Sequence, residues 1–290
     1  MLLPALPGVS HRNVDVGGLA VHLAEAGDPS APPLLLLHGW PQHWWSWRRV
    51  VPLLEQSYRV LLPDLRGHGW SGVPRHGYDK EQLATDLLGL LDALDLRRVQ
   101  LVGHDWGGWT GFLACLRARE RFSSFLVLSV PHPFQQPDVR LLQAWRGLYQ
   151  LPLAAPLLGR TLLQGAPSAV ERLILSGSSV PGVFTRPDLQ TYSLVLTEPA
   201  RARMSTQLYR TFLLREAAPV WAGRYRAKDL RVPTRLVAGQ DDLVVHPDLL
   251  RGWDDVPDGR GLDLLPGVGH FLPEEAPQVV ADAVRALPAA

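Results

Sequence analysis

The stretch of sequence that decides the fold reads Val99-Gln100-Leu101-Val102-Gly103-His104-Asp105-Trp106-Gly107. Its first four residues are mostly apolar, which is typical of a strand buried on both faces. A helical pattern begins at Trp106 and continues to Arg119. Glycines lie between these elements, where a sharp change of chain direction needs small residues. The stretch therefore predicts a strand, a tight turn and a helix, with Asp105 at the turn.

The side chain at the centre of this turn is Asp105. The spacing Gly103-x-Asp105-x-Gly107 matches the G-x-S-x-G template of a nucleophile elbow, with Asp in place of Ser. In that template the glycines allow strand and helix to approach closely, so that the central side chain projects above the sheet. The alternative role for Asp105 is that of a helix N-cap, which Asp often fills. The motifs downstream favour the nucleophile.

A candidate acid and a candidate base follow in the chain order that this template requires, nucleophile, acid and then His. Gly239-Gln240-Asp241-Asp242 follows a predicted strand at 234–238, and Gly267-Val268-Gly269-His270-Phe271 follows another at 261–265. Open α/β sheets place their sites at the carboxyl ends of the strands. We therefore expect His270 and one of the two aspartates to lie near Asp105.

The rest of the chain alternates between strand and helix patterns. Short β-leaning runs at 13–16 and 20–24 are separated by Gly17-Gly18 and predict a hairpin. Runs at 34–37, 58–62 and 125–130 predict further strands, and Asp79 with Gln82 predicts a capping box that starts a helix through residue 94. This alternation predicts an α/β fold, a mostly parallel central sheet with helices on both faces.

Between residues 131 and 228 the rhythm changes. Apolar helical stretches at 141–149, 157–163 and 169–175 are separated by segments rich in Pro and Gly, and no strand pattern occurs. The α/β rhythm returns at 234–238 and ends with a helix at 277–287. We therefore predict a core formed by residues 1–130 and 229–290, with a helical domain, residues 131–228, inserted between two strands.

Composition excludes several classes of protein. The 290 residues carry a net charge of +1, with 46% hydrophobic and 20% charged residues, which is typical of a globular protein. The basic residues form no stripe, so we expect no nucleic-acid partner. Cys115 is the single cysteine, so neither a disulfide framework nor a cysteine metal site is expected. No apolar run reaches the ~20 residues that span a bilayer, and no signal-peptide pattern is present, so we expect a cytoplasmic protein without membrane association.

Four motifs together resemble the α/β-hydrolase superfamily and, within it, the epoxide hydrolases. They are His38-Gly39-Trp40-Pro41, Asp64-Leu65-Arg66-Gly67-His68-Gly69, Gly103-His104-Asp105-Trp106-Gly107-Gly108 and Gly269-His270-Phe271. The resemblance covers about the whole chain and is weakest in the insertion, which corresponds to the family's helical cap. It implies the α/β-hydrolase fold. An Asp nucleophile narrows it to epoxide hydrolases and the related dehalogenases.

The resemblance also implies a chemistry. Asp is ionised at pH 7, with a reference pKa of ~3.9, so Asp105 can attack a saturated carbon without a base and form an alkyl ester. His270 would then activate a water molecule to hydrolyse that ester. The backbone N–H groups of Trp40 and Trp106 would form the oxyanion hole. The alternative for the Trp40 motif is a plain Gly-Trp-Pro turn.

For the acidic partner of His270 the resemblance favours Asp242, which has the Gly-x-x-Asp register of the relatives, over its neighbour Asp241. Some dehalogenases carry this acid after an earlier strand. Here that position reads Ser129-Val130-Pro131, with no acid. We therefore predict an Asp105–His270–Asp242 triad.

In the family two cap tyrosines donate to the epoxide oxygen, which a neutral phenol can do. Leu208-Tyr209-Arg210 resembles the second of these motifs. For the first, Tyr149 lies at about the family's distance after His132-Pro133-Phe134, whereas a register based on Gln150-Leu151-Pro152 would place Trp145 there. We favour Tyr149. The alternative for both tyrosines is core packing.

The sequence thus predicts a cofactor-independent epoxide hydrolase that takes a small-molecule epoxide and water, binds no metal, and is a monomer or homodimer. Its predicted substrate pocket is lined by His38, Trp106, Trp145 and Phe271. A haloalkane dehalogenase is the nearest alternative, with Trp106 and Trp145 as halide donors. Many dehalogenases, however, have Asn at the position of Trp40. A third alternative is a non-catalytic ligand-binding protein of this fold, although such a protein has no need of His270.

Overall fold

A computed structural model of the chain describes residues 2–134, 148–226, 229–253, 256 and 259–290. Within these residues eight strands form one sheet. They are β1 (Ser10–Val16), β2 (Leu19–Ala26), β3 (Pro33–Leu37), β4 (Arg59–Pro63), β5 (Val99–His104), β6 (Phe122–Leu128), β7 (Thr234–Gly239) and β8 (Gly259–Leu265). Their order across the sheet is β1-β2-β4-β3-β5-β6-β7-β8.

The sheet is mostly parallel. Strand β1 pairs with β2 and β2 with β4 in antiparallel fashion, and all other neighbouring strands are parallel. The predicted hairpin is confirmed, with Gly17 and Gly18 at φ of 58° and 86° between β1 and β2. Strand β6 begins three residues before the predicted run at 125–130 and ends at Leu128. The predicted α/β fold with a mostly parallel sheet is confirmed.

The helices of the described residues are α1 (Val51–Leu54), α2 (Lys80–Ala93), α3 (Trp106–Arg117), α4 (Gln150–Ala154), α5 (Pro156–Gly165), α6 (Pro167–Gly177), α7 (Arg186–Ser193), α8 (Pro199–Thr211), α9 (Ala217–Trp221), α10 (Leu272–Glu275) and α11 (Pro277–Arg285). A π-helical segment, Phe212–Glu216, joins α8 to α9. Nowhere in the described ranges is a helix both long and apolar enough to cross a membrane.

Helices cover both faces of the sheet, so successive side chains of a strand enter different cores. In β3, Leu35 and Leu37 pack in the core that includes Leu83 of α2 and Phe112 of α3. Leu34 and Leu36 pack on the other face, with α1 and α11. Because both faces are buried, the strands are continuous apolar runs, which made them recognisable in the sequence.

The start of α2 follows the prediction in part. Asp79 is its N-cap and accepts a hydrogen bond from the Gln82 backbone N–H at 2.9 Å. The Gln82 side chain donates to Asp86 at 2.9 Å instead of returning to the cap. The reciprocal half of the predicted capping box is therefore wrong, because Asp86 offers Gln82 a carboxylate one turn away.

Helices α4 to α9 lie in sequence between β6 and β7, which are parallel neighbours in the sheet. The helices predicted at 157–163 and 169–175 are confirmed as α5 and α6. The prediction at 141–149 lies mostly outside the described residues. Helices α7 and α8 were not predicted, because the buried face of α8 contains polar side chains such as Arg201 and Ser205. The domain boundaries at 131 and 228 stay a prediction.

Candidate active site

Asp105 occupies the turn between β5 and α3 in an unusual backbone conformation, with φ 49° and ψ −122°. Residues other than Gly rarely adopt positive φ, and such strain concentrates at functional sites. The backbone N–H of Asp105 donates to the Leu128 carbonyl at 3.2 Å, but its side chain does not make the N-cap bond to the second or third N–H of α3. The N-cap alternative for Asp105 is therefore wrong, and its carboxylate is directed elsewhere.

Two glycines make room for this turn. A Cβ added to Gly103 would lie 2.6 Å from the Cα of Gly108, so strand and helix could not approach as they do. A Cβ on Gly39 would lie 2.4 Å from Oδ2 of Asp105. Close approach, the reason predicted for glycine in the elbow motif, is the one that the structure shows for Gly103; the tight contact at Gly39 was not predicted.

The Asp105 carboxylate is held by backbone N–H groups. The N–H of Trp40, in the loop after β3, donates to Oδ2 of Asp105 at 2.9 Å. The N–H of Trp106, the first residue of α3, also bonds to this carboxylate. The two N–H groups predicted to form the oxyanion hole therefore lie together at the Asp105 carboxylate, and their role stays a prediction.

Burial is the largest influence on the pKa of Asp105. It raises the pKa of Asp105 to about 6, although His270 and the N–H groups of Trp106 and Trp40 act in the opposite direction. The nearby Asp242 raises this pKa further. Asp105 is thus a poorly hydrated carboxylate at neutral pH, and weak hydration favours nucleophilic attack.

His270 and Asp242 form a buried pair. Nδ1 of His270 lies 2.9 Å from Oδ2 of Asp242. The other oxygen, Oδ1 of Asp242, accepts the N–H groups of Val244 and Val245, both at 2.7 Å. Asp241 is exposed and does not contact His270 in the described structure; its carboxylate accepts the Gly267 N–H at 3.0 Å.

This pairing sets the protonation of the His270 ring. Burial alone would lower its pKa, but the charge and hydrogen bond of Asp242, together with Asp105 and Glu275, raise the pKa of His270 above its ordinary value. A hydrogen bond from Nδ1 to Asp242 leaves Nε2 as the free ring nitrogen. Such an arrangement is typical of a general base that acts through Nε2.

Glu275, which sequence reasoning missed, holds the loop that carries His270. Its carboxylate accepts the backbone N–H groups of Gly269 and Phe271, each at 2.9 Å. It also accepts those of Ser179 and Val180 from the insertion, at 2.9 and 3.2 Å. One carboxylate thereby joins the base loop to the insertion. Its position five residues after His270 gave no distinctive signal.

The two predicted tyrosines meet at the same cavity. The ring centroids of Tyr149 and Tyr209 are 6.4 Å apart. Burial raises the pKa of both phenols above the ordinary value, so both stay protonated donors at neutral pH. Trp145, the alternative to Tyr149, lies outside the described residues.

A cavity of about 190 Å³ connects Asp105, His270 and the two tyrosines. It is lined by Trp40, Pro41, Asp105, Tyr149, Leu173, Ser176, Tyr209, Leu243, Val244, His270 and Phe271. Phe271 lines it as predicted. A larger cleft of about 300 Å³ lies beside Tyr78, Arg210 and Arg215, but it contains none of the triad residues, so the chemistry points to the smaller cavity.

Two predicted pocket residues lie behind the cavity wall. His38 has no exposed surface, and its ring nitrogens lie 2.9 Å from the Gly39 carbonyl and 3.0 Å from the Leu65 N–H. Its side chain holds loops together, so its assignment to the pocket was wrong. The Trp106 indole does not line the described cavity either, because it packs against the rings of Tyr209 and Phe212. The backbone N–H of Trp106, not its ring, contacts the Asp105 carboxylate.

No metal centre is evident in the described ranges, where no group of three or more His, Cys, Asp or Glu side chains is placed to hold a metal ion. The acid–base groups of the cavity are instead bonded to protein partners. His270 is bonded to Asp242, and the Asp105 carboxylate is bonded to the Trp40 N–H. The fold is that of an α/β hydrolase, and its cavity brings together the three residues of the predicted triad, Asp105, His270 and Asp242.

Comparison with known proteins places the chain more narrowly. The family model for the alpha/beta hydrolase fold matches residues 32–277. The chain is 30% identical over 290 residues to the soluble epoxide hydrolase of Corynebacterium sp. (strain C12), a match that covers 94% of this chain and 95% of that protein. The chain belongs to the α/β-hydrolase superfamily and, within it, to the epoxide hydrolase family.

Solved structures agree with this placement. The epoxide hydrolase CorEH superposes with a TM-score of 0.81 at 28% identity, covering 96% of this chain and 98% of that one. Epoxide hydrolase A from Mycobacterium thermoresistibile gives a TM-score of 0.82 at 28% identity, covering 97% of this chain and 100% of the other. The protein is therefore a hydrolase.

Proposed function

We propose that this protein hydrolyses epoxides to vicinal diols through an alkyl ester on Asp105. The observation that carries the proposal is the position of the Asp105 carboxylate, which shares one cavity with the His270 base and two phenol donors. A serine nucleophile would need a base before it could attack, whereas a carboxylate does not. Relatives named epoxide hydrolases support the substrate class.

In the first step a carboxylate oxygen of Asp105 attacks one epoxide carbon, and the bond from that carbon to the ring oxygen breaks. The developing alkoxide accepts a hydrogen bond, and then a proton, from the phenol of Tyr209 or Tyr149. Oδ2 of Asp105 is held by the Trp40 N–H at 2.9 Å. This oxygen becomes the carbonyl oxygen of the ester, so the group that positions the nucleophile also polarises the intermediate.

In the second step His270 takes a proton from water, and the hydroxide formed attacks the ester carbonyl. The N–H groups of Trp40 and Trp106 stabilise the oxyanion. The ester bond then breaks, and the leaving alkoxide takes the proton held by His270, which releases the diol. The carboxylic acid formed on Asp105 returns its proton to the tyrosine phenolate, which restores both groups. Because the Asp105 charge helps to raise the pKa of His270, ester formation lowers that pKa and favours the neutral base when it is needed.

One observation favours haloalkane dehalogenation as the second candidate. The indole N–H of Trp106 is buried beside the Tyr209 phenol, and indole N–H groups can hold a leaving halide. Against this, the cavity contains two phenols beside the nucleophile, and a halide leaving group needs no proton from them. Both reactions would use the same Asp105 ester, so the substrate decides between them.

The first prediction concerns that choice of substrate. We expect diol from small epoxides such as styrene oxide and no halide from 1-bromo- and 1-chloroalkanes. The cavity of about 190 Å³ lies below the ~300 Å³ of typical sites for drug-sized ligands, which favours small substrates. Chromatography of the diols and a halide assay measure the two outcomes. Halide release without diol would replace the proposal by the dehalogenase.

The second prediction concerns pH. We expect kcat/KM for epoxides to fall below about pH 6, because burial raises the pKa of Asp105 to about 6 and only the carboxylate is nucleophilic. Above this pKa the charged form dominates, and each pH unit below it leaves about tenfold less carboxylate. Initial rates from about pH 5 to about pH 8 test this. A flat profile, with circular dichroism unchanged, would show that the first step does not need a group of this pKa.

A further inference from the structure

Lys80, the first residue of α2, has no exposed surface, which is rare for a lysine. Its Nζ donates to Oε2 of Glu216 at 3.1 Å and to the Leu208 carbonyl at 3.4 Å. Its backbone N–H donates to Oε1 of Glu216 at 2.8 Å. Glu216 ends the π-helical segment of the insertion. One core residue therefore binds both oxygens of a carboxylate from the insertion.

The Lys80 ammonium also contacts the residue next to the nucleophile. It lies 4.3 Å from the ring centroid of Trp106 and 5.4 Å from that of Phe212. A cation over an aromatic face is attracted to it, more strongly when both groups are desolvated. Trp106 follows Asp105 directly in the chain. The Trp106 ring therefore lies between the Lys80 ammonium and the cavity.

On its other side Lys80 contacts the turn that carries Tyr209. The Leu208 carbonyl, which accepts from Nζ, belongs to the residue before Tyr209. The backbone N–H of Phe212 bonds to the carbonyls of both Leu208 and Tyr209 where α8 changes into the π-helical segment. Such a change in helical pitch shifts the residues after it and often accompanies a functional site. The ammonium stabilises the helix at this point.

We propose that the Lys80–Glu216 pair is a positioning device that fixes the Tyr209 phenol relative to Asp105 and so supports ring opening. The inference rests on the proposed function. Neither Lys80 nor Glu216 lines the described cavity, so both act through the indole ring of Trp106 and through Tyr209, not through the Trp106 backbone N–H. Hydrolysis of the ester depends instead on His270 and on backbone N–H groups of the β3 loop and the elbow. The pair should therefore affect the first step and spare the second.

The burial of the ammonium fits this role. Desolvation lowers the pKa of Lys80, and Glu216, Asp79 and Asp105 counteract it by stabilising the charged form. A buried cation needs such partners to stay charged. The Lys80 ammonium has three N–H donors. Glu216, the Leu208 carbonyl and the Trp106 ring all lie within their reach. The Lys80 charge therefore interacts both with the insertion, through Glu216 and Leu208, and with helix α3, through Trp106.

The test is Lys80→Met in the full chain, with the two steps measured separately by rapid quench and intact mass. We expect ester formation from styrene oxide to slow by up to ~10²-fold, the effect of misplacing a catalytic group by about 1 Å, and ester decay to stay within a factor of about two. Lys80→Met/Glu216→Gln removes both charges and guards against misfolding caused by a buried unpaired Glu216. The double variant should show the same selective loss.

The matched control is Asp86→Asn. Asp86 lies on the same helix as Lys80 and pairs with Arg66 from outside that helix, with the Arg66 and Asp86 side chains 11% and 13% exposed. This variant should leave both steps unchanged. Equal slowing of both steps, or no change in either, would overturn the role of Lys80. Diol formation by the wild type without any ester would contradict the proposed mechanism instead. If no ester forms, a fall of kcat/KM in Lys80→Met with the KM for styrene oxide unchanged still supports a positioning role for Lys80. An unchanged kcat/KM excludes that role.

Discussion

Replacement of Asp105 by Asn is expected to lower kcat for diol formation by on the order of 10⁶-fold, the effect of removing a covalent nucleophile. The amide keeps the size of the side chain and can still accept the Trp40 N–H, but it has no charge with which to open an epoxide. No substrate adduct should appear by intact mass. Diol formation by chromatography gives the rate, and circular dichroism confirms the fold.

The matched control for this variant is Asp241→Asn. Asp241 lies next to Asp242 in sequence but is exposed, and its carboxylate accepts the Gly267 N–H instead of contacting His270, so activity should stay near wild type. A gradual return of activity in Asp105→Asn would indicate hydrolysis of the new amide to the carboxylate, which supports the role of Asp105. Full activity from the first turnover would remove Asp105 from the mechanism.

The core of this fold could be predicted because each of its strands and helices is recognisable from a short stretch of sequence. Strands buried on both faces are short apolar runs, and helix α2 shows a regular apolar face. The glycines around Asp105 are required because a Cβ added at Gly39 or Gly103 would lie only 2.4 or 2.6 Å from a neighbouring atom, so they form a motif visible in the chain. Parallel strands also carry their loops to one edge, which brings His270 and Asp242 to Asp105 without further information.

The insertion could not be predicted in the same way. Helix α8 buries Arg201, Ser205 and Thr206 as well as apolar residues. Its apolar residues therefore do not repeat at regular helical spacing in the sequence, although the helix is well packed. Arg201, for example, donates to the carbonyls of Gly67 and Ser71 in the core. These bonds depend on the tertiary structure, which no local pattern contains.

Positioning residues were missed for a related reason. Lys80 and Glu216 are 136 residues apart, and an acid–base pair of such separation is invisible without the fold. Lys80 also stands at an N-terminal helix position where a surface lysine is ordinary. His38 shows the opposite error: its motif was recognised correctly, but the ring turns away from the cavity because it accepts the Leu65 N–H. A motif identifies the loop, whereas packing decides which side chain reaches the substrate.

The variant His270→Gln is expected to accumulate the Asp105 ester, because only the second step needs the base. Ester hydrolysis should slow by about 10²- to 10⁴-fold, the usual contribution of general base catalysis. Ring opening should persist, since the carboxylate and the phenols of Tyr149 and Tyr209 are unchanged. Intact mass after exposure to styrene oxide should show one substrate added per chain, and hydroxylamine should release it as an ester.

This variant separates the two-step scheme from direct hydrolysis. If His270 activated water for attack on the epoxide itself, the loss of His270 would stop turnover without any adduct. Asp105 would then contribute only its negative charge. His76→Gln, at an exposed position, controls for the substitution and should turn over normally. An adduct in His270→Gln that is absent from the double variant with Asp105→Asn would locate the bond on Asp105. Because the same N–H groups hold the carboxylate before attack and the oxyanion after it, the trapped ester should remain stable until a base is supplied.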